Sequence, residues 1–309
     1  YQIKRRPQRD KIEIDLYNRV SRYVSEFYDL AVQRNDRATM FLLLLYQRMV
    51  SSSSRAILVS LQRRLDRLQR LREVHPAEEG GEDIAFGEDW DGFREKAAEE
   101  QLPYLETKGM FLHPKGDAFR EKEIRELRGC ISLAQQATYG RNDLKFEKLL
   151  EVIGEFISIE NDPKLKFIIF TEFVETQKYI SESLRNLGYE TALINGSMSQ
   201  EEKEIQKEHF RNCAQFLVST DAGGEGINLQ FCHVMINYDL PWNPMRLEQR
   251  IGRIDRIGQK HDVKIINFQL ANTVEQRVRD VIEAKLERVK LEFNAGEDKL
   301  ADILSTLED

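Results

Sequence analysis

Three arginines at three-residue intervals are the strongest chemical signal in this sequence of 309 residues. Arg250, Arg253 and Arg256 follow Asn243 and Pro244, which suit the N-cap and the first position of a helix. The spacing predicts that the three guanidinium groups share one helix face, where they repel one another unless anions lie opposite. A guanidinium binds phosphate bidentately and stabilises charge on a transferring phosphoryl group. A solvated helix face that pairs with nearby acids is the alternative.

A glycine-rich segment, residues 219–230, is the second signal. Its glycines lack a Cβ, so their backbone N–H groups can approach a phosphate closely. Ser219 and Thr220 add hydroxyl donors, while Glu225 and Asn228 offer groups that could meet a ribose or an arginine. The segment predicts a phosphate contact, and a simple glycine-rich turn between two strands is the alternative.

A third polar segment begins at Thr171, directly after the apolar run 167–170. The Thr171 hydroxyl can donate a hydrogen bond to a phosphate oxygen. The alternative is an ordinary N-cap for the following helix, formed by Thr171 or Glu172.

The elements that must position these segments are short apolar runs that alternate with amphipathic stretches. This alternation is typical of an α/β fold with a parallel sheet covered by helices on both faces. Ligands bind outside the carboxyl ends of such strands, and the three polar segments all follow predicted strands. The predicted strands are 167–170, 191–194, 216–218, 234–236 and 263–268, and the predicted helices are 174–187, 201–210, one that begins near Asn243 and a closing one at 272–292.

The rest of the sequence separates by composition. Apolar residues at helical spacing precede the α/β part, and an acidic stretch without periodicity interrupts them, which predicts an insertion or loop. The expected regions are a helical region (1–74), an acidic insertion or loop (75–118), an α/β lobe (119–294) and an acidic tail (295–309).

Composition excludes several classes of protein. The net charge of −7 argues against a uniformly basic nucleic-acid binder, although a local basic groove remains compatible with it. The three cysteines and five histidines show no metal-ligand spacing, so no metal site is expected and the thiols are expected to be reduced and intracellular. The longest apolar run, at 40–45, is too short to span a bilayer. These features predict a cytoplasmic protein that makes no membrane contact.

The three polar segments, taken together and in this order, resemble motifs IV, V and VI of superfamily-two helicases. The sequences of residues 223–230, 242–244 and 253–259 are similar to the corresponding motifs of SWI/SNF-type ATPases. The resemblance is strong over 165–291 and weaker over 51–68. It implies a RecA-like lobe, the second motor lobe of an ATP-dependent translocase on double-stranded DNA.

Three residues depart from the eukaryotic remodeller pattern. Asp221 replaces the usual Arg, Glu225 the usual Leu, and Asp255 the usual His. These choices are more similar to the bacterial and archaeal branch, which includes the ATPase that recycles RNA polymerase. They weigh against nucleosome remodelling, leave the arginines in place, and imply the prokaryotic cytosol or nucleoid as the location.

The resemblance also implies roles for individual residues. Arg253 and Arg256 match the two arginines that reach the γ-phosphate of ATP. A second group supports the ATP site: Gln249, Arg250, Glu225 and Asn228. A third group matches contacts to the DNA backbone: Thr171, Gly196, Ser197, Ser219, Thr220 and Gly223.

The sequence lacks the other half of an ATPase site. It contains no Gly-x-x-x-x-Gly-Lys-Ser/Thr segment and no Asp-Glu-x-His box. ATP and Mg²⁺ are therefore expected to be held mainly by a first lobe that this sequence does not include, and this chain alone is expected to hydrolyse ATP at the background rate. A first residue, Tyr1, that is not Met fits an excised fragment.

Other functional interpretations stay open at this point. The chain could be a non-catalytic module that binds nucleic acid or protein, and a DNA-bound protein complex is a further candidate partner. The basic helix predicted at 55–72 could contact DNA phosphates, or pack on the first lobe with its arginines solvated. The acidic stretch 77–102 could be a solvated loop, a docking site for a partner, or an autoinhibitory mimic of DNA.

Overall fold

The computed structural model of the chain describes most of the residues on which these predictions depend. Most of the expected acidic insertion, the closing helix predicted at 272–292 (Thr273 excepted) and the tail lie outside the described residues, as does Trp242. The described residues are 1–6, 9–33, 36–73, 93, 96–108, 117–140, 143–241, 243–256, 258–271 and 273.

Five parallel strands form the central sheet, in the order β3-β4-β2-β5-β6. Each strand lies within two residues of its predicted bounds, because runs of apolar residues with β-branched and aromatic side chains suit a strand buried on both faces. The sheet therefore confirms the predicted α/β class. Its strands are β2 (Phe167–Thr171), β3 (Thr191–Ile194), β4 (Phe216–Thr220), β5 (Val234–Asn237) and β6 (Lys264–Asn267).

Helices cover both faces of the sheet, as predicted. Alternate strand residues point to opposite faces, so Phe167 and Ile169 pack with helices α6 and α7, whereas Ile168 and Phe170 pack on the side of helix α8. The α/β helices are α6 (Leu144–Glu160), α7 (Val174–Asn186), α8 (Gln200–Asn212), the single turn α9 (Asp221–Gly224) and α10 (Pro244–Ile251).

Local sequence signals set the ends of these helices. Ser199 and Glu202 form a capping box at the start of α8, and Asn243 caps α10 by accepting a hydrogen bond from Met245 N at 3.0 Å. Gly188 follows α7 with a φ of +89°, which a residue with a Cβ adopts only with strain.

A helical bundle precedes the sheet and has its own apolar core. The predicted helical region 1–74 contains three helices, and Ser53 separates the second from the third by capping the third through Ala56 N at 3.1 Å. The bundle helices are α1 (Lys11–Gln33), α2 (Arg37–Ser52), α3 (Ser54–Glu73), α4 (Ala98–Lys108) and α5 (Asp117–Tyr139).

Several elements had no counterpart among the predictions. Helix α4 lies inside the stretch expected to be an acidic insertion or loop, and its buried Ala98 and Leu105 join the bundle core. A two-residue strand near the amino terminus, β1 (Gln2–Ile3), pairs in parallel with β7 (Gln269–Leu270).

Within the described residues, no helix is long and apolar enough to span a membrane, and no cluster of His, Cys, Asp and Glu has the arrangement of a metal site. Cys130, Cys213 and Cys232 are all free thiols.

Candidate functional site

The carboxyl ends of the central strands bring the three polar segments to one edge of the sheet. Thr171 and Thr220 are register partners at the ends of β2 and β4, and the chain after β5 lies beside them. Parallel pairing places the loops that follow these strands on the same side of the sheet, as the sequence predicts.

Arg250 is the best-anchored arginine at this edge, with only 3% of its surface exposed. Its Nε donates to Asp221 Oδ1 at 2.5 Å, and one terminal nitrogen donates to Asn237 Oδ1 at 2.9 Å and to Asp239 O at 2.8 Å. The guanidinium also lies over the Phe170 ring. Arg250 therefore ties the last turn of α10 to the ends of three strands.

The prediction that the three arginines share one helix face is wrong. Helix α10 ends at Ile251, and the N–H groups of Arg253 and Ile254 bond to carbonyls three residues back, which forms a tight turn. The side chain of Ile254 is fully buried against the sheet and draws the chain away from the helix axis. Arg250 consequently lies inside the lobe, whereas Arg253 and Arg256 follow the helix.

Arg253 and Arg256 lie at the surface in front of the sheet edge. Arg253 is partly buried, and burial lowers its pKa, an effect that Arg256 reinforces and Glu225 opposes. Arg256 is exposed, and its Nε donates to Gly252 O at 2.6 Å. The two guanidinium groups thus form a compact positive surface that an anion would stabilise.

A small cleft beside Arg253 contains two of the residues predicted to support the site, Gln249 and Glu225. Asn228 is exposed, but it bonds to the next turn: its Oδ1 accepts from Gln230 N at 3.0 Å and its Nδ2 donates to Gln230 Oε1 at 3.2 Å. The structure therefore groups Gln249 and Glu225 with the arginines, and leaves Asn228 outside the cleft.

Asp239 is a buried residue of the site that no motif in the sequence identified. Its Oδ1 accepts from Lys145 Nζ at 2.9 Å, and its Oδ2 accepts from the hydroxyls of Ser52 at 2.7 Å and Thr171 at 2.5 Å. Burial alone raises the pKa of Asp239, but Lys145 and these hydroxyls outweigh burial and leave the pKa below its usual value. The available sequence signal was an ionisable residue two positions after a buried strand.

Four residues predicted to contact the DNA backbone are buried: Thr171, Ser219, Thr220 and Gly223. For Thr171, Ser219 and Gly223, the contacts within the lobe correct the assignment. The Thr171 hydroxyl is committed to Asp239, and the Ser219 hydroxyl donates to Thr220 O at 3.0 Å. A Cβ on Gly223 would lie 2.4 Å from Asn195 Cα, so this glycine allows two loops to pack together and does not face a phosphate. None of the three is open to a ligand in this arrangement.

Thr171 and Glu172 do not cap the following helix either. The N-cap of α7 is Phe173, which makes no side-chain cap hydrogen bond. Glu172 is buried and pairs with Arg48 of α2, because an acid at the end of a buried strand needs a nearby cation.

The other predicted backbone contacts form a polar group at the ends of β3 and β4. Gly196 and Ser197 are exposed, whereas Thr220, at the end of β4 beside them, is fully buried. Glu99 of α4 lies on this group: its carboxylate accepts from Gly196 N at 3.2 Å through each oxygen and from the Thr220 hydroxyl at 2.7 Å. The sequence signal for Glu99 was the acidic composition of the stretch 77–102 that contains it.

Part of the basic face of α3 is paired within the chain, which argues against a free contact of these arginines with DNA phosphates. Arg55 bonds to Glu182, Arg63 to Glu106, and the buried Arg64 donates to Glu123 at 3.0 Å. These three arginines connect α3 to α4, α5 and α7, while Arg70 of the same helix is exposed.

Comparisons with known proteins agree with this architecture. Residues 144–258 match the family model for the helicase conserved C-terminal domain, a stretch that includes the sheet edge with Arg250, Arg253 and Arg256.

Two curated bacterial proteins are similar to this chain. An uncharacterised ATP-dependent helicase of Bacillus subtilis, YqhH, is 44% identical over 51% of this chain and 30% of its own length. An uncharacterised ATP-dependent helicase of Mycoplasma pneumoniae is 35% identical over 54% of this chain and 16% of its own length. The chain thus spans less than a third of the length of the curated relatives it matches.

Two solved structures share the fold. The C-terminal part of the Fun30 ATPase domain superposes with a TM-score of 0.53 at 16% identity, covering 87% of this chain and 84% of that one. The Hef helicase domain of Pyrococcus furiosus gives a TM-score of 0.53 at 16% identity, covering 90% and 56%. The predicted RecA-like fold, with helices before the sheet, is confirmed.

Proposed function

We propose that this chain is the second motor lobe of a SWI/SNF-type, ATP-dependent translocase on double-stranded DNA. The observation that carries the proposal is the surface pair Arg253 and Arg256, held at the carboxyl edge of a parallel sheet by the buried Arg250. The helicase names of the bacterial relatives support ATP use. Their bacterial origin supports a place in the prokaryotic cytosol or nucleoid.

The arginine pair suits a phosphoryl group that is held from the other side. Arg253 and Arg256 supply positive charge, and the neighbouring Gln249 and Glu225 can orient the nucleotide or the arginines. A first lobe would bind ATP and Mg²⁺ and would supply the phosphate cradle and the metal carboxylate. This division of labour explains why one chain carries the arginines without a Gly-Lys-Ser/Thr segment.

Contact with DNA is assigned to the polar group at the ends of β3 and β4. The backbone N–H of Gly196 and the hydroxyl of Thr220, which both bond to Glu99, are donors that suit phosphodiester oxygens and carry no base specificity. The exposed Ser197 lies beside them, and its hydroxyl donates to Asn195 Oδ1 at 2.7 Å. DNA would bind on the same edge of the sheet as the arginines, so closure of two lobes on ATP could move the DNA contacts.

Arginine substitution in the full-length protein tests this proposal. Arg253→Ala and Arg256→Ala should each lower DNA-stimulated ATP hydrolysis by about 1,000-fold, because each removes charge stabilisation from the phosphoryl group in the transition state. Phosphate release at saturating ATP and DNA is the measurement.

Arg125→Ala, on an exposed position of α5, is the matched control and should keep the wild-type rate within about twofold. If both site variants keep rates close to that of this control, the arginine pair is not part of an ATPase site and the proposal fails.

The alternative function is a non-catalytic module that binds nucleic acid or protein through the basic helix α3, and it was motivated by the missing nucleotide cradle. Arg55, Arg63 and Arg64 are paired within the chain, which reduces the basic surface available to such a module. We therefore prefer the motor lobe.

A further inference from the structure

Glu99 makes an unusual long-range contact for a residue in the first turn of a helix. It belongs to α4 of the bundle, yet its carboxylate accepts hydrogen bonds from Gly196 N and from the Thr220 hydroxyl, 97 and 121 residues away. Both donors belong to the polar group that is proposed to contact the DNA backbone. The Glu99 carboxylate thus accepts the hydrogen bonds that an anionic ligand would accept at this position.

The bundle holds α4 in the position that delivers Glu99. Ala98 and Leu105 are buried in the bundle core, and the Gln101 amide donates to Phe93 O at 2.9 Å. Glu99 itself is only partly buried and points from this anchored helix towards the sheet edge.

The carboxylate leaves no space for a second anion in front of Gly196. A Cβ placed on Gly196 would lie 2.9 Å from Glu99 Oε1 and 2.8 Å from Ala222 Cβ, so Glu99 lies directly against the glycine. The Gly196 N–H and the Thr220 hydroxyl cannot serve Glu99 and a phosphate at the same time.

We propose that Glu99 substitutes for a backbone phosphate and holds the nucleic-acid site closed until DNA displaces it. The inference rests on the proposed function, because it names the regulation of the same site. A carboxylate oxygen and a phosphodiester oxygen are both anionic acceptors, and the two donors fit either one. DNA binding and docking of Glu99 therefore exclude each other.

A DNA phosphodiester can displace the Glu99 carboxylate from this contact. Burial raises the pKa of Glu99, and its hydrogen bonds from Thr220 and Gly196 only partly oppose that effect, while Asp221 and Glu100 add to it. The docked carboxylate is therefore incompletely compensated for the water it has lost. A phosphodiester belongs to a polyanion that gains further contacts and releases counterions when it binds, so it can compete.

The test measures DNA affinity of the full-length protein with a short fluorescently labelled duplex, by anisotropy at several salt concentrations. Glu99→Ala should tighten binding by about tenfold, because the site no longer has to open before DNA enters. It should also raise ATP hydrolysis at subsaturating DNA.

Two variants separate this effect from a change of net charge. Glu100→Ala removes the same charge one residue later, at an exposed position, and should leave the affinity within about twofold of wild type. Glu99→Asp keeps the charge but withdraws the carboxylate, and it should tighten binding as Glu99→Ala does. Thermal unfolding curves show that each variant is folded before its affinity is compared.

Each outcome has one meaning. If the wild type binds duplex DNA and the Glu99 variants bind no more tightly, or if Glu100→Ala gains as much as Glu99→Ala, the closing role of Glu99 is overturned while the motor-lobe proposal stands. If neither the wild type nor any variant binds duplex DNA, the proposed function fails and the inference fails with it.

Discussion

At the scale of single residues, Asp239 is the point where separate parts of the chain are joined. Its carboxylate contacts Ser52 at the end of α2, Lys145 at the start of α6 and Thr171 at the end of β2. Its carbonyl also accepts from Arg250. A buried charge with so many partners is stable as a complete set, whereas loss of one member leaves the others buried and uncompensated.

Replacing Asp239 should therefore destabilise the protein strongly. Asp239→Ala should lower the free energy of unfolding by about 3–5 kcal/mol, because Lys145 keeps a buried ammonium group without its counter-charge. Urea denaturation measures the change. Asp262→Asn changes an exposed acid and should stay within about 0.5 kcal/mol of wild type. An equal effect of the two substitutions would mean that the buried network contributes nothing specific.

At the scale of elements, the bundle and the α/β lobe meet at the ends of helices. Glu13 of α1 accepts a hydrogen bond from Leu144 N at 3.1 Å, at the amino terminus of α6, next to the N-cap Asp143. Burial raises the pKa of Glu13 to about 7, and the nearby Asp143 carboxylate adds to the shift. Glu13 and Asp143 thus lie together at the amino terminus of α6, where the first backbone N–H groups need hydrogen-bond acceptors.

This junction predicts a pH dependence of stability. Since the folded state raises the pKa of Glu13 from 4.5 to about 7, it binds a proton that the unfolded chain releases, and stability falls as pH rises through that window. Glu13→Gln keeps an acceptor for Leu144 N but carries no charge. It should raise the free energy of unfolding at about pH 8 by about 1–2 kcal/mol, and change it little at about pH 4.

Chemical denaturation across this pH range provides the measurement, with Asp15→Asn as the control because Asp15 is exposed on the same helix. A Glu13→Gln variant whose stability parallels wild type at every pH would show that Glu13 titrates as an ordinary surface acid.

At the scale of the whole molecule, the proposed function makes this chain one half of a composite site. Arg253 and Arg256 face outward from the sheet edge, and the sequence has no cradle for the β- and γ-phosphates of ATP. The bundle contacts the same edge through Glu99 of α4 and Ser52 of α2. The edge is thus open to solvent at the arginine pair and is contacted elsewhere by the bundle.

The isolated chain should consequently hydrolyse ATP no faster than the uncatalysed background, because arginines without a cradle do not position the nucleotide or the attacking water. Addition of a first lobe should restore DNA-stimulated phosphate release. Turnover by the isolated chain that disappears in its Arg253→Ala variant would instead locate a complete site within these residues.

The sequence by itself determined the elements and the ordering of the motifs. Apolar runs predicted each strand of the central sheet within two residues, Gly188 and Asn243 marked helix ends, and parallel pairing placed the polar segments at one edge. The strands and helix ends depend on near neighbours in the chain, so local patterns contain them. The common edge follows because every parallel sheet brings the carboxyl ends of its strands to the same side.

Only the tertiary structure decided the direction of each side chain and the partners it meets. Three-residue spacing suggested one face for the arginines, but Ile254 and the strand ends turn Arg250 inward and leave Arg253 outside. The Thr171 hydroxyl bonds to Asp239, 68 residues later in the chain. The Thr220 hydroxyl bonds to Glu99 of α4, a helix that was not predicted because its segment is acidic and lacks periodicity. Such contacts join residues far apart in the chain, and their identity depends on which buried charge needs which partner in the folded protein.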